Sequence, residues 1–172
     1  MTKAEALALQ WSDVDLKNGK VNINKTIQFN INDKPYVFTT PKSKNSVRII
    51  SIPKKLINIL SDWKKLQQSD YYNLSFVFGS VRPLPLETLR RHFKNDIKMV
   101  NEILIADKLD PLPDIRIHDL RHSHASYLIN KKMYDYDIAR RLGDTVATLH
   151  ATYAHWFDNA EDDIMRAMND EI

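Results

Sequence analysis

The sequence predicts an α+β domain that is mainly helical, with a small three-stranded antiparallel sheet near the N-terminus. Two patterns predict this class. Apolar residues recur every three to four positions over most of the chain, as in amphipathic helices, whereas residues 21–31 alternate between apolar and polar, as in a half-buried strand. A chain of 172 residues is long enough for one well-buried core. We therefore expect residues 1–172 to form a single domain.

The composition excludes several classes of protein. An apolar share of 43% and a charged share of 27% are ordinary for a globular domain and unlike a disordered or fibrous chain. No segment approaches the ~18 apolar residues that a membrane-spanning helix needs. We therefore expect no membrane partner. The chain has no cysteine, which removes disulfides and thiolate metal sites and fits the cytoplasmic location that we expect. The net charge of +3 mildly favours polyanionic partners.

The N-terminal third predicts one helix followed by the sheet. Residues 5–11 form a strongly helical run, and Asn18-Gly19 is a tight-turn signal. The alternating segment is the first strand, and two further apolar runs separated by turns complete an antiparallel sheet. The three predicted strands are residues 21–31, 36–40 and 47–52.

The remainder predicts a series of helices. A proline can occupy the start of a helix, and Gly143 is a normal residue just past the end of one. The helix after Pro85 carries Arg90, Arg91, Lys94 and Lys98 on its outer face, which is either an ordinary solvated surface or a DNA contact. The predicted helices begin at Pro53 and Pro85, cover 117–128, 135–142 and 145–155, and end with one that starts at Asp158.

The central helix carries the residues that point to chemistry. His118, Arg121 and His122 share one face because residues three and four apart are neighbours on a helix. A guanidinium donates two parallel hydrogen bonds to anionic oxygens, and an imidazole beside it can donate another or move a proton. The pair therefore suits a phosphate. By itself, His-x-x-Arg is a very weak signal, which far more often reflects an arginine paired with an acid and surface histidines, and we interpret His122 and His124 as structural.

Three further segments accompany this helix in a particular order. Together with His118 and Arg121, the ordered set resembles the catalytic domain of the tyrosine recombinases, the family of phage and transposon integrases. The resemblance extends from about residue 2 to about residue 157. The segments are Glu5 to Asp15 at the start, Thr40-Pro41-Lys42-Ser43-Lys44-Asn45-Ser46-Val47-Arg48 on a predicted hairpin, and Leu142-Gly143-Asp144 followed nine residues later by Tyr153.

The resemblance implies site-specific DNA recombination, the integration or excision of a phage or another mobile genetic element. In this family a tyrosine cuts one strand of double-stranded DNA, forms a 3′-phosphotyrosyl link and passes it to a new 5′-hydroxyl, with no metal and no cofactor. By motif, the implied catalytic residues are Tyr153 as nucleophile, Arg121 as the second of two phosphate-binding arginines, His118 for proton handling and Lys42 as general acid, with Asp144 and His155 as auxiliary candidates.

The chemistry requires these residue types in its own right. A phenol has an unperturbed pKa near ~10, so it attacks only when a base or nearby cations ease its deprotonation. The leaving alkoxide needs a proton, and the charge that grows on the phosphoryl oxygens needs fixed donors. Taken singly, Tyr153 also fits a packing aromatic and Lys42 a solvated lysine, with Lys44 as a substitute if the hairpin register differs.

Two positions depart from the family pattern. Thr2 stands where the family has its first catalytic arginine, and Asp144 stands where it usually has histidine. Losing one phosphate donor costs about 10²–10³ in rate, so we expect impaired activity. We also expect the chain to be the catalytic part alone, without the upstream DNA-clamping (core-binding) domain that the family carries.

Two other functions compete with this interpretation. The protein could hold DNA as a remnant whose chemistry has decayed, or it could be a metal-dependent phosphohydrolase that uses His118, Asp119, His122 and His124 as ligands. Family members also assemble as four protomers on DNA, which implies self-association here. Residues 158–172 would then either dock on a neighbouring protomer or pack on their own domain.

Overall fold

A computed structural model describes residues 1–41, 43–71 and 73–154, together with residues 165, 168 and 169. The α+β class is confirmed, since the chain is mainly helical and contains small antiparallel sheets. The predicted helix that starts at Asp158 lies almost wholly outside the described residues. The elements are α1 (Lys3–Ala8), β1 (Val14–Asp15), β2 (Lys20–Ile23), β3 (Thr26–Ile31), β4 (Lys34–Thr39), β5 (Arg48–Ser51), α2 (Lys54–Asp70), α3 (Leu86–Ala106), α4 (Asp119–Asn130), α5 (Asp135–Leu142) and α6 (Val146–Tyr153).

The three-stranded sheet is built from β1, β2 and β5 in that order, all antiparallel. The prediction of one continuous strand over residues 21–31 is wrong, because the chain leaves this sheet after β2 and continues as β3, which pairs with β4 in a separate hairpin. The side chains at the break turn toward Asp13: the Lys25 Nζ lies 2.5 Å from one carboxylate oxygen and the Asn24 amide 3.4 Å from the other. Alternation alone did not reveal this break.

Helix α1 is shorter than the predicted run over 5–11, and its start is fixed by a reciprocal pair of hydrogen bonds. The Glu5 amide donates to the Thr2 hydroxyl at 3.2 Å, and the Thr2 amide donates to the Glu5 carboxylate at 2.6 Å. Each bond satisfies a backbone donor that the first turn of a helix leaves without an intrahelical partner. The hydroxyl and the amide of Thr2 are therefore both engaged in capping this helix.

The hydrophobic core of the described residues consists of three clusters. One joins the sheet to the segment before α3, with Trp11, Val21 and Val77 at its centre, and a smaller one packs Leu7 and Ala8 of α1 against Ile27 of β3. The third joins helices α4 to α6 and supports the residues considered below. This helical cluster consists of Ala125, Ile129, Ile138, Ala139, Leu142, Leu149 and Tyr153.

Helices α2 and α3 lie at the periphery. No described residue of α3 is buried, and Trp63 in the predicted inner stripe of α2 remains 40% exposed. The predicted basic face of α3 is on the outside, with Arg90, Arg91, Lys94 and Lys98 all exposed. Within the part of the chain that the structure describes, no helix is both long enough and apolar enough to cross a membrane.

Candidate active site

The predicted phosphate-binding face lies at the first turn of α4. His118 occupies the N-cap position with helical dihedral angles (φ −69°, ψ −29°), so it continues the helical spacing toward Arg121 and His122. The rings of His118 and His122 pack edge to face with centroids 4.8 Å apart. Asp119 anchors this turn by accepting hydrogen bonds from Arg116, which lower the pKa of its carboxyl to about 2.

Arg121 reaches from α4 to the end of α5. Its Nη1 donates to the Leu142 carbonyl at 2.8 Å, and its Nη2 donates to the Asp144 carboxylate at 2.6 Å. Gly143 makes this possible because it ends α5 in the left-handed region (φ +78°), which turns the chain so that both neighbours face Arg121. The guanidinium is thus held by a backbone carbonyl on one side and a carboxylate on the other.

A second arginine, Arg48, contacts the end of α5 as well. Arg48 pairs with both carboxylate oxygens of Glu5, at 3.0 and 3.3 Å, and donates to the Arg141 carbonyl at 2.9 Å. A Cβ on Gly143 would lie 2.5 Å from Arg48 Nη1, so only glycine leaves room for this guanidinium. Arg48 belongs to the hairpin motif named above, but no role was predicted for it from the sequence. The available signal was a charged residue at an inward-facing position of a predicted strand.

Tyr153 ends α6, whose start is capped by the Thr145 hydroxyl. Its ring belongs to the helical cluster and the residue is only 4% exposed, but its hydroxyl leaves the apolar environment and lies 2.9 Å from His122 Nδ1. Burial raises the pKa of the Tyr153 phenol; the positive charge of Arg121 works to lower it, and Asp144 adds to the rise. The phenol therefore stays protonated until a base or a further positive charge acts on it.

Burial lowers the pKa of the His118 imidazole, and the charges of His122, Arg121 and Lys3 lower it further, whereas Asp119 acts to raise it. A cavity of about 390 Å³ opens beside it and is lined by Thr2, Lys3 and Arg121 as well as His118. Thr2 and Arg121 thus face the same space.

A second cleft, of about 630 Å³, lies on the other side of Asp144. It is lined by Asn45 from the segment that connects β4 to β5 and by Arg48 at the start of β5. On the opposite side it is lined by Arg140 of α5 and by Asp144 and Thr145 of the α5–α6 turn. This cleft places the residues that follow Lys42 opposite the carboxylate that pairs with Arg121. Lys42 itself, like His155, lies outside the described residues.

The family profile described as Phage integrase family matches residues 1–160, which is most of the chain. The chain belongs to the phage integrase family. The recognition of the tyrosine recombinases, made from the order of four motifs, is therefore confirmed.

Individual integrases agree with this assignment. The chain is 33% identical over 167 residues to the ICEBs1 integrase of Bacillus subtilis strain 168, covering 96% of this chain and 44% of that protein. It is 32% identical over 152 residues to the integrase of Staphylococcus phage L54a, covering 83% and 40% respectively. The chain thus spans less than half the length of these relatives.

Solved structures share the fold. The Tn1549 transposon integrase, determined in complex with transposon right end DNA, superposes with a TM-score of 0.78 at 19% identity, over 96% of this chain and 54% of that one. The XerA recombinase superposes with a TM-score of 0.58 at 20% identity, over 85% of this chain and 45% of that one. These likenesses confirm an integrase-type fold.

Within this integrase fold, four of the predicted site residues come together. His118 and Arg121 lie on one turn, Asp144 pairs with Arg121, and Tyr153 approaches the same turn. Their roles remain predictions. The structure adds His122, which the sequence analysis interpreted as structural although it contacts the tyrosine hydroxyl. Its spacing from His118 was visible in the sequence, but the sequence could not say which histidine meets Tyr153.

The metal-dependent alternative gains no support from the arrangement. The rings of His118 and His122 pack against each other, and His124 accepts a hydrogen bond from Arg141 at 3.0 Å. Among the described residues, no group of three or more His, Asp or Glu side chains is placed to hold a metal ion.

Proposed function

We propose that this chain is the catalytic part of a site-specific DNA recombinase that cuts and rejoins DNA through a covalent link to Tyr153. In the cleavage step the Tyr153 oxygen bonds to the scissile phosphorus and the phenol gives up its proton. The bond from phosphorus to the 5′-oxygen breaks, and that oxygen takes up a proton. Attack by a new 5′-hydroxyl reverses the step and releases Tyr153, so the bond energy is conserved without a nucleotide cofactor.

The observation that carries this proposal is the position of the Tyr153 hydroxyl. The ring is fixed in the helical cluster, yet the hydroxyl contacts His122 of α4, the residue after Arg121. The charges of Arg121 and Asp144 both affect the pKa of this hydroxyl. A nucleophile beside a guanidinium that can hold a phosphate is what phosphoryl transfer requires. Membership of the phage integrase family supports the same conclusion.

The other roles follow from the surroundings of this pair. Arg121 would exchange its carboxylate partner for the scissile phosphate, and His118 would handle a proton beside it. Lys42 is proposed as the general acid for the 5′-oxygen, since Asn45, three residues later, lines the same cleft as Asp144. His155 remains an auxiliary candidate because it follows the nucleophile so closely in sequence.

Activity is proposed to be weakened at Thr2. This residue lines the cavity of His118 and Arg121, where a second arginine would complete the phosphate clamp, but its hydroxyl already accepts a hydrogen bond from the Glu5 amide. The missing donor would lower the cleavage rate by about 10²–10³.

Double-stranded DNA is the proposed substrate, and the reaction would take place in the cytoplasm. The exposed basic side chains of α3 are suited to phosphate contacts, and the Tn1549 integrase was determined in complex with transposon DNA. Self-association on DNA is proposed from the family resemblance, with residues 158–172 as a candidate contact segment.

A second candidate is a protein that holds DNA without cutting it. It is favoured by one observation, namely that a carboxylate pairs with Arg121 while the phenol is buried and kept protonated. Retained DNA affinity that falls steeply with salt, with no covalent product, would select this alternative.

The deciding experiment is capture of the covalent intermediate. The chain is incubated with randomised duplexes that carry a strand nick, so that the short fragment diffuses away after cleavage, and the adduct is detected by denaturing electrophoresis and mass spectrometry. We expect a peptide linked to nucleotide at Tyr153 and no adduct from Tyr153→Phe. The control is Tyr134→Phe, the same change at a residue that is 82% exposed. An undiminished adduct in Tyr153→Phe would contradict the proposal.

A further inference from the structure

None of the catalytic roles proposed above uses the hydrogen bond between His122 and Tyr153. Nδ1 of His122 lies 2.9 Å from the Tyr153 oxygen, and the two rings meet with centroids 5.6 Å apart at 60°. Among the described residues this is the hydrogen-bond partner of the tyrosine hydroxyl. His118, to which the family resemblance assigns proton handling, contacts the ring of His122 instead.

The imidazole of His122 is held from two sides. The His118 ring packs against it at 89° and the Tyr153 ring at 60°, which restricts its rotation. Arg121 precedes it on α4, so the helix presents the phosphate donor and the partner of the phenol at adjacent positions. This arrangement fixes the phenol oxygen relative to the guanidinium.

We propose that His122 orients the Tyr153 nucleophile and accepts its proton as the phosphotyrosyl bond forms. The inference rests on the proposed recombinase function. The Tyr153 hydroxyl donates to Nδ1, which directs the hydrogen toward His122 and leaves the oxygen lone pairs free for phosphorus. In the cleavage step the bond from oxygen to hydrogen breaks, the proton moves to Nδ1, the new bond from oxygen to phosphorus forms, and the 5′-oxygen leaves.

The direction of the hydrogen bond between Tyr153 and His122 follows from the protonation state of the phenol. Burial raises the pKa of Tyr153, so the hydroxyl keeps its hydrogen and is available as a donor. A positioned base typically contributes about 10²–10⁴ to a rate when it receives a proton in the transition state. Because His122 contacts the attacking atom, its loss should slow cleavage without weakening the binding of DNA.

The test distinguishes a defect in activating the Tyr153 nucleophile from a defect in protonating the leaving 5′-oxygen. Single-turnover adduct formation is measured for His122→Phe and His122→Asn on nicked duplexes with either oxygen or sulfur bridging phosphorus to the 5′-carbon. A sulfur leaving group needs no proton, so it should correct a defect in the general acid but not one at the nucleophile. We expect His122→Phe to be slower by about 10²-fold on both substrates.

Two controls identify a purely structural effect. In His122→Asn the amide oxygen can lie near the position of Nδ1 and accept the same hydrogen bond, so part of the orienting effect should return. His124→Phe makes the matching change on α4 at a histidine that contacts Arg141 rather than Tyr153. It should leave the adduct rate within about twofold of the wild type, and DNA affinity should be unchanged in all three variants.

A measurement without DNA tests the pairing itself. If the hydroxyl and Nδ1 are partners, the losses in urea midpoint from Tyr153→Phe and His122→Phe should not add in the double variant. Additive losses in urea midpoint would overturn the inference whatever the adduct assay shows. An unchanged adduct rate in His122→Phe, or a defect corrected by the sulfur substrate, would also overturn it. A wild type that forms no adduct would overturn the proposed function instead, while non-additive midpoints would retain the pairing.

Discussion

Arg48 and Arg121 both pair with a carboxylate and both contact the end of α5, but the two guanidinium groups have different surroundings. The side chains of Arg48 and Glu5 are each 5% exposed, and Arg48 donates to both Glu5 oxygens and to the carbonyls of Ser46 and Arg141. The partner of Arg121, Asp144, has a side chain that is 26% exposed and borders an open cleft. One ion pair is enclosed, and the other can be reached from outside.

The difference separates a structural arginine from a binding one. Enclosing a charge is tolerable only when it is paired and hydrogen-bonded, and four hydrogen bonds do this for Arg48 while they join α1, β5 and the end of α5. An arginine that must receive a phosphate needs a partner that can be displaced. Asp144 satisfies Arg121 in the absence of DNA and is accessible enough to be replaced by a phosphate.

The largest expected effect is on stability, from Glu5→Gln. This change leaves the Arg48 charge buried without its counter-ion, so the free energy of unfolding should fall by about 3–5 kcal/mol. The measurement is urea denaturation. Asp62→Asn removes an acid from an ion pair whose side chains are both 76% exposed, and should cost no more than about 1 kcal/mol. Equal losses in the two variants would show that Arg48 does not depend on Glu5.

The next effect is on the reaction, from an arginine-to-lysine change made at each position. Arg121→Lys keeps the charge but loses the planar fork, so adduct formation should fall by about 10²–10³ with little change in urea midpoint. Arg48→Lys should do the opposite, lowering the midpoint while the folded fraction retains its adduct rate. The assays are single-turnover adduct formation and urea denaturation on the same preparations. If the adduct rate and the urea midpoint fell together in both variants, Arg121 and Arg48 would not have separate binding and structural roles.

The sequence was sufficient for the fold class. Helical spacing grouped His118, Arg121 and His122, and the family resemblance named Asp144 and Tyr153; these side chains lie close together, while their roles remain predictions. These inferences depend on local geometry or on motif order, both of which are visible in a sequence.

What the sequence could not provide depends on contacts between distant segments. The break between β2 and β3 coincides with contacts from Asn24 and Lys25 to Asp13, and Arg48 becomes structural because α1 brings Glu5 to it. The pairing of His122 with Tyr153 joins residues 31 positions apart on two helices. Periodicity carries no information about such contacts.

The smallest expected effect comes from Asp144→Asn, which tests whether the partner of Arg121 competes with phosphate. The amide can still accept a hydrogen bond from Arg121 but no longer repels an anion, and a partly exposed charge pair is worth about 1 kcal/mol at most, so DNA affinity should rise by up to about fivefold. Asp62→Asn makes the same change in net charge far from the site, and binding isotherms of the two variants at matched salt separate local from general electrostatics. Affinity that rises equally in both would mean that Asp144 does not compete with DNA. A rise confined to Asp144→Asn would instead show that this carboxylate holds Arg121 in place of the phosphate.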